Sequence, residues 1–265
     1  MTELLFFSVA NEAYEPFVLP YAVSALRHNP EAMVEIVLQR PRRFEAENAD
    51  ALDILRQHFG EKLVLSRSEF GRMPANSLRF LIEPRTKAAT VYIGDIDIII
   101  TEDIRPGHEA HMVKSGLPYS NIRRGGKRAM TGLHYTRWDA FYPIPPLPAH
   151  TKVNLDEGLL FDLVEVRGQG LPRENDNYRP IHGIHLSLNR DPRVLKGSWG
   201  GINSFVEISK YLALAQSDVW SDIVPHFDIR YRRLLTVFET AMVLLYRESL
   251  TDFVPTKGTL VRDWW

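Results

Sequence analysis

The chain has 265 residues, 45% of them hydrophobic and 25% charged, with a net charge of −1 and no cysteine. That length holds one large domain or one domain with a smaller appendage, and the near-neutral balance lacks the basic field of a nucleic-acid binder, so no nucleic-acid partner is expected. Without thiols, disulfides and thiolate metal sites are excluded and a cytoplasmic setting is expected, in solution or at the inner membrane face.

The opening MTELLFFSVANEAYE carries acid rather than Lys or Arg, and its apolar run is too short for a secretory signal. Within it, LLFFSVA (4–10) is a buried strand, followed by the polar turn NEAYE. Over 16–29, Val18, Tyr21, Ala22, Ala25 and Leu26 recur at helical spacing. VEIVLQR (34–40) is the next strand, 45–59 an amphipathic helix with Leu52, Leu55 and Phe59 on one face, and KLVLSR (62–67) a third strand. ANSLRFLI (75–82) reads as a helix stopped near Pro84, and VYIGDIDIIIT (91–101) as a fourth strand with a polar exit at Thr101–Asp103. Strands alternating with helices imply an α/β fold, its parallel or mixed sheet covered on both sides. Next, 116–132 is a loop rich in Gly, Arg and Ser, PIPPLP (143–148) a rigid extended connector, and LDEGLLFDLVEVR (155–167) a short helix. A polar stretch, 167–183, reads as loop, and two helices close the chain at 203–216 and 228–249. In the last, Leu234, Leu235, Phe238, Met242, Leu245 and Tyr246 make one apolar stripe, expected to pack on the core or on a second copy in a homodimer. No window holds about 18 uncharged apolar residues, so no transmembrane segment is expected.

Asp95 and Asp97 stand two apart in the most apolar of these strands, and a carboxylate is costly to bury without a partner. As alternate strand residues they would share a face at the carboxyl end, where ligands gather in α/β sheets. Two carboxylates so placed repel each other unless a cation lies between them. Mn²⁺ or Mg²⁺ takes carboxylate oxygen and also binds diphosphate. The plain alternative is a pair of strand-end aspartates capping the next turn.

The stretch YIGDIDIII resembles the metal motif of GT-A glycosyltransferases, and FFSVANEAYEPFVLPYAVSALRHNPEAMVEIVL resembles the opening of glycosyltransferase family 8, the glycogenin-like and bacterial galactosyltransferase-like enzymes. ANSLRFLIEPRTKAATVYIGDID resembles that family's Arg-bearing helix ahead of Y-L-D-x-D. RAMTGLHYTRWDAFY (128–142) is similar to its F-N-A-G segment, with Met130 and Thr131 in place of Asn-Ala, and NLDEGLLFDLV (154–164) to its D-Q-D-x-L-N. IHGIHLSLNRDPRVLKGSW (181–199) is similar to the closing H-x-x-G-x-x-K-P-W, with Gly-Ser in place of Pro.

The resemblance implies a GT-A domain over 1–200 with a helical C-terminal extension over 201–265. It implies a nucleotide-sugar donor, a UDP-sugar first, and a glycan or small-molecule acceptor. Donor contacts would fall to Ala10, Asn11, Tyr14, Arg79, Asp95, Ile96 and Lys196, and catalytic roles to Asp156, Glu157 and Arg79. Mn²⁺ or Mg²⁺ would be held by Asp95, Asp97 and His185, with His182 and His134 as competitors for the third place. Retention of anomeric configuration is implied as well.

Other readings stand beside this one. The D-x-D could belong to a haloacid-dehalogenase-like phosphatase, whose nucleophile normally follows the first strand, or to a sugar-nucleotide-binding scaffold without catalysis. His108, His111, His182 and His185 form two H-x-x-H pairs that would suit zinc, although the first lies in a charged segment read as exposed. Arg123, Arg124, Lys127 and Arg128 form a basic cluster, either a lid meeting diphosphate or a solvated loop. Tyr135, Trp138 and Trp199 could offer flat faces to sugar rings or pack in the core.

Overall fold

The computed structural model describes residues 2–174, 176, 178, 182–186 and 205–250. In chain order the first half runs β1 (Thr2–Ala10), α1 (Val18–His28), β2 (Met33–Leu38), α2 (Pro41–Glu47), α3 (Ala49–Phe59), β3 (Leu63–Arg67), α4 (Ala75–Leu78) and β4 (Ala88–Ile93). Then come β5 (Ile98–Ile100), α5 (Arg105–Ser115), β6 (Tyr119–Ser120), β7 (His134–Arg137), α6 (Trp138–Phe141), α7 (Asp156–Arg167) and β8 (Gly183–His185). Three helices follow, α8 (Phe205–Ala215), α9 (Asp218–Ile223) and α10 (Ile229–Leu250).

Six strands form one mixed sheet in the order β3-β2-β1-β4-β7-β6. The first four pair in parallel, and β7 and β6 close the far edge antiparallel. This is the mixed, mainly parallel α/β sheet expected from the strand–helix alternation. β1 lies at its centre because every residue from Leu4 to Ala10 is buried, so both faces can be covered. Leu4, Phe6 and Ala10 join Tyr92, α1, α3 and the C-terminal helices in one apolar layer. Leu5, Phe7 and Val9 join Val91, Ile93, Phe80 and the inner side of α7 in the other. Burying each large apolar side chain of this kind contributes roughly 1.5–3 kcal/mol.

The last helices belong to the first layer: Tyr211, Leu214, Trp220, Ile223, Tyr231, Leu235, Phe238 and Met242 are all buried in it. The stripe on α10 is therefore core packing as far as Met242; Leu245 and Tyr246 lie outside the described side chains, as do Lys196 and Trp199.

Several elements differ from expectation for local reasons. The 45–59 helix is two helices, begun earlier at Pro41, a residue suited to a first helical position. They part at Asn48, whose side-chain amide bonds back to the Phe44 carbonyl at 2.9 Å. The 91–101 strand is also two pieces. β4 stops at Ile93, where the Gly94 N–H donates to Phe7 and the Ser8 hydroxyl to the Gly94 carbonyl at 2.9 Å. Residues 94–97 then leave the sheet, and β5 pairs instead with β8 in a separate two-stranded ladder. The charged segment holding His108 and His111 is a helix, α5, and both histidines are buried beneath it.

Candidate active site

The chain runs β1, β2, β3 outward on one side of β1 and then crosses to place β4 on its other side. Such a reversal leaves a crevice beyond the carboxyl ends of the two strands that flank it, here β1 and β4. The exit of β1 brings Ala10, Asn11 and Tyr14 to this edge. Ala10 is fully buried; the Asn11 carbonyl accepts from the backbone N–H of Tyr14 and Glu15 at 2.8 and 3.0 Å, and the Tyr14 ring packs on Phe17. The exit of β4 brings Gly94 to Asp97.

Asp95 and Asp97 do not lie on a strand, so alternation is not what brings them together; a turn is. The third member arrives through the small ladder. Ile98 faces His185 in its register, and the Leu186 N–H donates to the Asp97 carbonyl at 2.7 Å. His185 Nε2 then lies 2.9 Å from Asp97 Oδ1. Gly183 permits the pairing, because a Cβ there would run into the Ile99 carbonyl. One ligand atom from each of Asp95, Asp97 and His185 lies within 4.8 Å of the other two, and no other such group occurs among the described residues. Asp97 is buried and Asp95 is 28% exposed, so the group opens on the Asp95 side.

Two carboxylate oxygens and an imidazole nitrogen suit Mn²⁺ or Mg²⁺. Octahedral bonds of about 2.1 Å leave neighbouring ligand atoms roughly 3 Å apart; the 2.9 Å between Asp97 and His185 is equally that of a direct hydrogen bond, and the three ligand atoms lie within 4.8 Å of one another. The residues fit a divalent cation.

Arg79 closes the other side. It follows α4, is 3% exposed, and its guanidinium pairs with Asp95 through Nη1 and with Asp156 through Nη2, the latter at 3.1 Å. Burial alone would lower its pKa, but the Asp95 and Asp156 carboxylates raise it. Gly132 makes room for this fork, since a Cβ there would stand 2.6 Å from Nη2. Asp156, the first residue of α7, thus reaches the site through Arg79. Glu157 does not join it: its carboxylate takes Arg124 at 2.5 Å. Ile96 is buried in the turn between the two aspartates.

The other candidates lie elsewhere. His134 is buried between Tyr119 and Phe141 with Nδ1 3.3 Å from the Asn121 amide, and burial holds its pKa down at about 3. His182 pairs with Glu102 at 2.7 Å. His108 and His111 both meet the Ser120 hydroxyl at 2.9 Å, and His111 also meets Asp176. The His108 and His182 rings lie 4.6 Å apart, but the four histidines of the H-x-x-H pairs do not bring their ligand atoms to one point. The basic cluster is a strap rather than an open lid: Arg124 and Arg128 pair with acids of α7, Arg123 pairs with Glu174, and Arg123 and Arg128 lie over Phe161. Tyr135 is buried and stacked on His108 at 4.6 Å, and Trp138 packs on Tyr142.

Two contributors escaped the sequence reading. Ser8 anchors Gly94, and its signal was a small polar residue inside LLFFSVA. Gly132 admits Arg79, and nothing local in TGLHY marks it.

No protein-family model and no curated protein matches the sequence. Among solved structures, the chain is similar to LgtC, as an active-site mutant, at 11% identity and TM-score 0.48, over 83% of this chain and 99% of that one. It is similar to the mannosyltransferase PcManGT from Pyrobaculum calidifontis, in complex with GDP-Man and Mn²⁺, at 9% identity and TM-score 0.47, over 96% and 76%. It is similar to the glycosyltransferase GlyE of Streptococcus pneumoniae TIGR4 at 17% identity and TM-score 0.36, over 52% of this chain and only 34% of that one. At these TM-scores the likenesses carry no argument about fold, donor, metal or reaction.

Proposed function

We propose that the chain is a metal-dependent GT-A glycosyltransferase, akin to family 8, that moves a sugar from a nucleotide-diphosphate donor, a UDP-sugar first, to a glycan or small-molecule acceptor. The observation that carries this reading is the meeting of Asp95, Asp97 and His185 at the crevice where strand order reverses. These three residues would hold Mn²⁺ or Mg²⁺, whose bound charge supplies Lewis-acid stabilisation to a departing diphosphate.

The remaining work belongs to the chain itself. Asn11 and Tyr14, fixed by their own turn beside Ala10, would receive the base and ribose. Arg79 is fully charged and fixed by two carboxylates, so it orients Asp95 toward the cation while holding Asp156 near the sugar. A carboxylate there would stabilise oxocarbenium-like charge or attack it, the route to retention. Glu157, turned to Arg124, would act only after that pair opens. Lys196 is assigned by resemblance alone. The phosphatase alternative fits less well, because neither aspartate follows the first strand.

The test is a thermal-shift screen of UDP-, GDP-, CMP- and dTDP-sugars with and without Mn²⁺, followed by donor hydrolysis. Mn²⁺-dependent stabilisation by one nucleotide sugar, with slow release of its nucleotide, supports the reading. Phosphate release from simple phosphomonoesters with no nucleotide-sugar effect would favour the phosphatase, and binding without turnover the scaffold.

A further inference from the structure

The ladder that delivers His185 is short. It has three residue pairs, Ile98 with His185, Ile99 with Ile184 and Ile100 with Gly183, and a two-stranded pairing of that size is marginal alone. Something beyond its own hydrogen bonds must hold it.

An acid–histidine pair stands at each end. At one end Asp97 meets His185. At the other the Thr101 N–H donates to the His182 carbonyl at 3.0 Å, and His182 Nδ1 meets Glu102 at 2.7 Å. The β5 side of this second pair is anchored to α1, because the Asn29 side chain donates to the Glu102 carbonyl at 3.3 Å and accepts from the Ile104 N–H at 3.2 Å. Glu102 also takes the ammonium of Lys210, on α8. Next to Lys210, Tyr211 is buried in the core and bonded to Glu239 of α10 at 2.6 Å. His182 and Lys210 together hold the Glu102 carboxyl down at about 2. The C-terminal helices thus reach the end of β8 three residues from the third candidate ligand.

We propose that Glu102, His182 and Lys210 are positioning residues that hold β8 in register, so that helices α8–α10 set how firmly His185 serves a divalent cation shared with Asp95 and Asp97. This rests on the metal-site reading above. It gives the C-terminal extension a part in the site that its distance along the sequence does not suggest.

The experiment uses the full chain and Mn²⁺ alone. Binding is titrated by electron paramagnetic resonance, and coordination is read from the ¹⁴N modulation that a ligating imidazole imposes on the bound Mn²⁺ echo. Wild type should show that modulation and His185→Ala should lose it. Lys210→Met and Glu102→Gln should weaken Mn²⁺ binding about 10-fold or more and diminish the ¹⁴N signal, and Lys210→Arg should restore both. If Glu102→Gln fails to fold, the Lys210 pair decides alone. Wild-type affinity and an undiminished ¹⁴N signal in Lys210→Met overturn the positioning role. A wild-type spectrum with no ¹⁴N coupling, or one unchanged by His185→Ala, overturns the metal-site reading instead, and the positioning role falls with it.

Discussion

Arg79 is the buried cation on which the site's shape depends, and its removal has a calculable cost. The guanidinium is 3% exposed and bridges Asp95 and Asp156, whose side chains keep 28% and 23% of their exposure. In Arg79→Leu those two carboxylates lose their common partner and face each other across the gap. A hydrogen bond to a charged group contributes about 1.5–3 kcal/mol, and breaking a buried pair by removing one member costs about 3–5 kcal/mol. Water still reaches both acids, which places the loss at the lower bound, about 3 kcal/mol. For a chain of this size that lowers Tm by roughly 6–12 °C. Arg79→Lys keeps the charge but not the planar fork, so it should lose about half as much by the same figures. Urea unfolding at neutral pH, followed by circular dichroism, measures both. An Arg79→Leu variant within about 0.5 kcal/mol of wild type, the scatter of ordinary surface changes, would refute the claim that this pairing organises the site.

The remaining predictions are briefer. Gly132→Ala places a methyl group 2.6 Å from Arg79 Nη2; the fork is held at both ends and cannot swing away freely, so nucleotide-sugar affinity should fall while the core stays folded, and unchanged affinity by calorimetry would contradict this. Burial holds His134 near pKa 3 against an ordinary 6.5, so the unfolded chain takes up the proton first. Stability linked to His134 is then complete above about pH 6.5 and is lost on acidification toward 3, by up to about 1.4 kcal/mol per pH unit. His134→Gln should flatten that slope in urea titrations between pH 6.5 and 4, and an identical slope would show the ring is not the titrating group.

Much of the frame was legible in the sequence because its signals are local. Runs such as LLFFSVA and VEIVL are apolar apart from Ser8 and Glu35, as strands buried on both faces require, and their alternation with helical stripes implies the parallel core. The small elements were not legible. β7 and α6 lie in TGLHYTRWDAF, where length and periodicity are too short to register, and α5 is hidden because its inward face carries histidines whose partners, Ser120 and Asp176, lie outside the helix. At the site, the aspartate pair stands out as charge within an apolar run, but a turn rather than strand alternation brings the two acids together. Strand alternation would have placed both acids on one face; instead the strand breaks at Gly94 and a turn joins them. His185 could be separated from His182 and His134 only by the β5–β8 register, a contact between segments some 85 residues apart. The pairing of Arg79 with Asp156 spans a comparable gap, 77 residues. Local patterns thus reveal which residues carry charge, while long-range register decides which of them meet.

The central claim is that Asp97 helps to grip a cation which in turn grips a diphosphate. Calorimetric titration of UDP into Asp97→Ala and wild type, with and without Mn²⁺, tests it directly. The account predicts Mn²⁺-dependent UDP binding in wild type and its loss in a folded Asp97→Ala variant. UDP affinity retained in that variant with the same Mn²⁺ dependence would contradict it.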